Sequence, residues 1–82
     1  MVTKLKVFAD AHTPVVDEVC HVLALHGISS FSIRARTCAG VAALEVDHEG
    51  QDAARAEAIT SQLRAVRDIR YAEYDIPVRQ PA

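Results

Sequence analysis

The residues able to do chemistry in this 82-residue sequence are few and scattered: four histidines, two cysteines and one short polar stretch, Asp10 to Thr13. A metal centre built from neighbouring residues needs Cys or His at short, regular spacing. His12, His21, His26 and His48 show no such spacing, and Cys20 and Cys38 lie in unlike contexts. Cys20 and His21 are adjacent on a helix pattern and point apart. The expectation is a core cysteine, surface histidines and no metal ligands. His12 beside Asp10 offers a loop base, but no Ser/His/Asp set is suggested by spacing, so no catalytic residue is assigned. The start of a helix after Asp10 offers something else. Its unpaired backbone N–H groups and dipole attract a carboxylate or phosphate. The competing expectation is that the Thr13 hydroxyl merely caps those groups.

The elements that must position this loop are legible in the pattern. Val2 to Ala9 alternates Leu5, Val7 and Ala9 with Lys4, Lys6 and Phe8, the period of a half-buried strand. Thr13-Pro14 starts a helix, with Pro at the first helical position and Asp17 and Glu18 in the first turns. Val16, Val19, Cys20 and Leu23 form its buried stripe, flanked by Val15 and Val22, and Gly27 ends it in the left-handed conformation. Ile28 to Arg36 is a second strand and Thr37 to Gly40 a turn. Val41 to Asp47 is a third strand, its core face Ala42, Leu44 and Val46. His48 to Gln51 is a loop. Asp52 to Arg67 is a second helix with an Ile59, Leu63 and Val66 ridge. Ile69 to Ile76 is the last strand, and Pro77 stops it.

The order β-α-β-β-α-β is the split βαβ motif, so the expected class is α+β: a ferredoxin-like, four-stranded antiparallel sheet with two helices on one face. Residues 1–77 form one domain and 78–82 a short tail. Lys4, Lys6, Phe8, Arg34, Arg36, Tyr71 and Glu73 fall on the open face of the sheet, and the second strand forms an edge. A net charge of −2 argues against nucleic acid as a partner. The open face also offers little for base stacking, with Phe8 the one aromatic of its first strand. Acylphosphatases share the topology but use an Asn, and this sequence contains none. Metallochaperones of this fold carry two nearby cysteines, also missing here. No apolar stretch is long enough to span a membrane. With no secretory leader pattern and no cysteine framework, a reducing, cytoplasmic setting is expected.

Three stretches resemble the ACT domain, a regulatory ligand-binding family, the first being Thr13-Pro14-Val15-Val16-Asp17-Glu18-Val19, similar to the family's first loop and helix start. Leu23-Ala24-Leu25-His26-Gly27-Ile28 is similar to the Leu-Ala-x-His-Gly-Ile that closes the family's first helix. Leu63 to Ala72 resembles its closing Leu-x-x-Ile-x-Gly-Val pattern. The departures are the missing Gly of the first loop, where Pro14 is followed by Val15, and Asp68 where Gly is usual. The resemblance implies a domain that senses an amino acid or similar small carboxylate and self-associates, as a homodimer. The ligand would lie against Asp10, Ala11, His12, Thr13, Pro14 and Val15. Backbone donation would come from residues 12–15, with Asp10 or His12 contacting an amino group or carboxylate. No cofactor is expected. The alternatives are an assembly subunit docking on a larger enzyme without a ligand of its own, and a small dimeric enzyme with a site between sheets.

Overall fold

Alternation along the first strand decides the layout. Thr3, Leu5, Val7 and Ala9 are buried, while Lys4 and Lys6 are half-exposed and Phe8 is exposed. The computed structural model describes residues 2–12, 14–50 and 52–75. The elements are β1 (Val2–Asp10), α1 (Val15–Leu25), β2 (Phe31–Cys38), β3 (Val41–Glu49), α2 (Ala53–Arg64) and β4 (Ile69–Asp75). The sheet has the order β2-β3-β1-β4 and every neighbouring pair is antiparallel. Both helices lie on one face, sharing a core with the sheet in which Leu5, Leu44, Val19, Leu23, Ile59 and Leu63 are fully buried. This is the ferredoxin-like α+β fold expected from the element order. Among the described residues no helix is long and apolar enough to cross a membrane.

Local chemistry explains the element ends. His26 caps α1, Gly27 follows at φ +78°, and Ile28 turns back into the core. The Ile28 amide donates to the Leu23 carbonyl (2.9 Å) and the Gly27 amide to Ala24 (3.0 Å). These two bonds define a Schellman end, which a left-handed glycine permits. The β2–β3 hairpin closes through Ala39 and Gly40, both at positive φ (52° and 79°), the two-residue turn whose twist matches the strands. Asp52 caps α2, accepting a hydrogen bond from the Arg55 amide (3.1 Å). β4 carries one extra residue beside β1: Phe8 pairs with Tyr71 but Ala9 pairs with Ile69, so Arg70 is a bulge.

Several sequence expectations are corrected. Helix α1 begins at Val15, with Pro14 one place earlier at the cap position, where it offers no side-chain hydrogen bond. The α1 stripe is Val15, Val19, Val22 and Leu23; Val16 is exposed and Cys20 only half-buried. The helix is rotated from the expected stripe because Val15 takes the core position at its first turn. β1 runs through Asp10, held there by pairing with Val41. β2 starts at Phe31 because Ile28 is spent on the helix end, and it extends through Cys38, which is exposed. α2 stops at Arg64. β3 continues to Glu49, and His48 is buried rather than in a surface loop. The expected Thr13 cap, Ile76, Pro77 and the 78–82 tail lie outside the described residues.

Candidate functional site

The first loop is built by three elements meeting at one end of the sheet. β1 delivers Asp10 to the rim, half-buried. The Asp10 amide donates to the Asp68 carbonyl (3.1 Å) and the Ala11 amide to the Gly40 carbonyl (2.9 Å), so the loop is tied to both neighbouring connections. His12 is exposed, Ala11 is half-buried, Pro14 is exposed and Val15 is anchored in the core. Of the six residues expected to form the site, Asp10, Ala11 and His12 carry β1 into this rim, Pro14 is exposed just before α1, Val15 points into the core, and Thr13 lies outside the described residues.

The bulge in β4 completes the arrangement. The Arg70 Nε donates to Asp10 Oδ1 at 2.7 Å, an ion pair at the edge of the same loop. Asp10, His12 and Asp68 bring one ligand atom each within 4.8 Å of one another. Two carboxylates and an imidazole are donors that suit a divalent cation. The guanidinium on Asp10 nonetheless places a fixed positive charge beside that cluster. The α1 N-terminus adds amides that have no partner inside the helix. Sequence spacing could not show this grouping, because Asp68 and Arg70 reach Asp10 only through the β1–β4 pairing. Counting antiparallel register from the expected strand ends would have brought Asp68 near; the bulge that aims Arg70 has no sequence signature.

The opposite end of the sheet carries a second polar pair. His48 Nδ1–H donates to the Glu49 carbonyl (2.9 Å), which leaves Nε2 to accept the Tyr74 hydroxyl (2.8 Å). Burial pushes the Tyr74 phenol up to about 12 from its usual 10.0. Thr3 donates to the Gly50 carbonyl beside them. The space here holds only about 30 Å³, so the pair is a packed structural network rather than a ligand cavity.

The open face of the sheet forms a shallow groove lined by Lys6, Phe8, Arg34, Arg36, Ala43 and Glu45. Phe8 does not stand alone there: it stacks on Tyr71 with ring centroids 5.2 Å apart. Tyr71 in turn donates to Glu73, and that hydrogen bond to a carboxylate raises its phenol above the ordinary value.

These features place the chain in a class: a ferredoxin-like domain with a polar first loop and an uncovered sheet face, the fold of an ACT domain. Among solved structures it is similar to the ACT domain from a GTP pyrophosphokinase of Chlorobium tepidum. The TM-score is 0.73 at 9% identity, covering 90% of this chain and 96% of that one. No family model matches the sequence, and no curated protein matches it. The likeness is therefore one of fold, with the ACT-like arrangement of strands and helices.

Proposed function

We propose that this chain is a regulatory domain that binds an amino acid, or a similar small carboxylate, at the first-loop rim and works as a self-associated pair. One observation carries the reading: opposite charges sit side by side where β1, α1 and β4 meet. Arg70 is 2.7 Å from Asp10, and Asp68 and His12 close the cluster. An amino acid is itself a pair of opposite charges a few ångströms apart. Arg70 and the first amides of α1 suit its carboxylate. Asp10 and Asp68 suit its ammonium, with His12 at the mouth. The fold supports the same reading, since the similar solved domain is part of a GTP pyrophosphokinase, a larger enzyme. By that analogy the present domain would report ligand occupancy to a larger enzyme partner, with no cofactor of its own.

The test is a thermal-shift screen against the twenty amino acids. A ligand at 100 times its dissociation constant adds about 2.7 kcal/mol, and each kcal/mol moves the midpoint of so small a domain by about 4–8 °C. A shift specific to one amino acid is expected, abolished by Arg70→Met and by Asp68→Asn but retained in Gln62→Ala, remote from the rim. A flat screen would retire the sensor reading and leave an accessory subunit that acts only through association.

A further inference from the structure

The open face of the sheet has a charge pattern that is its own complement. Register aligns its side chains into rows that run across the order β2-β3-β1-β4. One row reads Arg34, Glu45, Lys6, Glu73, alternating positive and negative from one edge to the other. The next row toward the first loop reads Arg36, Ala43, Phe8, Tyr71. The next row the other way reads Ser32, Asp47, Lys4, Asp75.

We infer that this face is an interface between two copies of the chain, packed sheet on sheet about a two-fold axis parallel to the strands. That operation reverses each row while keeping it level. Arg34 then meets Glu73 of the second copy, and Glu45 meets Lys6. In the neighbouring row Arg36 lies over the Tyr71 ring, a cation–π arrangement. The small Ala43 faces the large Phe8, so bulk meets space. In the third row Asp47 meets Lys4 and Ser32 meets Asp75. A two-fold axis perpendicular to the strands would instead stack β2 on β2, and with the axis between their rows Arg34 would face Arg36 of the second copy.

Three observations on the isolated chain fit this occupant. Phe8, Tyr71 and Val41 are 41%, 38% and 38% exposed, an apolar group toward the first-loop end of the face, on the side away from the helices. Neither Arg34 nor Arg36 forms an ion pair among the described residues. One Asp47 carboxylate oxygen is buried with no hydrogen-bond partner among them. A nucleic acid is the poorer occupant, because each cation of the central row stands beside a carboxylate that repels phosphate. The pairing does not depend on a ligand at the first-loop rim, which lies at the end of the sheet.

The test is a charge swap read by sedimentation velocity across a concentration series, with circular dichroism to confirm folding. Wild type is expected to dimerise, less so as salt rises. Arg34→Glu alone and Glu73→Arg alone each weaken self-association by about 100-fold, since like charges then face each other twice per dimer. Mixing the two monomeric variants restores a dimer, because each then supplies the charge the other lacks, and the double variant self-associates as wild type does. A wild-type chain that stays monomeric overturns the inference. So does a dimer that survives both reversals. A dimer lost on changing Arg34 but kept on changing Glu73 also overturns it, and points to pairing along the β2 edge.

Discussion

The two faces of this sheet are made from the same strands and share no chemistry. On the helix side, Leu5, Val7, Leu44 and Val46 are buried beneath α1 and α2. On the other side, one residue along, Lys4, Lys6, Glu45 and Asp47 alternate in sign. The period of two along a strand makes this division possible, since consecutive side chains point to opposite faces. Folding is thus assigned to one set of positions. The other set is free to carry recognition, at little cost to stability, because exposed ion pairs contribute little to the monomer.

Leu44 and Glu45 give the sharpest way to break that comparison. Leu44→Ala on the covered face should cost about 2–5 kcal/mol through lost burial and the cavity left behind, measured by urea denaturation. Next comes the polar pair at the buried end of the sheet. Tyr74→Phe leaves His48 Nε2 without a donor and should cost about 1–3 kcal/mol. The same variant should remove a pH dependence. Below 10.0 both folded and unfolded chains hold the Tyr74 proton, so its contribution is intact. Between 10.0 and about 12 the unfolded chain releases that proton while the buried phenol keeps it, so stability falls as pH rises through this window. Thermal melts across it should decline less steeply in Tyr74→Phe. On the open face, Phe8→Ala removes the stack on Tyr71 and should cost about 0.5–1.5 kcal/mol in the monomer, well below a buried aromatic. Smallest of all, Glu45→Ala loses only the 3.6 Å ion pair with Lys4. Its monomer should stay within about 0.5 kcal/mol of wild type by the same urea measurement. A large loss there would mean that the open face also holds the fold together.

The covered face was legible in the sequence because burial imposes a period. Leu5, Val7 and Ala9, and Ala42, Leu44 and Val46, are the core residues that alternation picks out. Gly27 marked the end of α1 because a left-handed φ leaves few choices of residue. The misses have physical causes too. α1 presents an apolar arc nearly half its circumference wide, wider than its buried stripe, so its pattern could not distinguish Val15 and Val22 at one edge from Val16 and Cys20 at the other. His48 looked like a loop residue because a polar side chain breaks the alternation, and only its bond to Tyr74 makes it a core residue. The stack of Phe8 on Tyr71 joins residues far apart in sequence, and the rim cluster depends on which residue of β4 is the extra one. Such facts belong to register, which local pattern does not carry.

The bulge at Arg70 has a consequence for how this domain can change over time. Strand positions carry a parity, inward or outward, and an even register would have turned Arg70 toward the core beside Ala9. The extra residue resets the count, so Ile69 takes the inward place and Arg70 is released to reach Asp10. It acts as a clutch between the two ends of β4. Substitutions upstream of it can change the rim without rotating Tyr71, Ala72, Glu73 and Tyr74. Deleting Arg70 itself would remove the bulge, leave Ile69 opposite Ala9 and deprive Asp10 of its guanidinium. The side chain at the bulge can therefore be exchanged, or the residue lost, without disturbing the core face of β4.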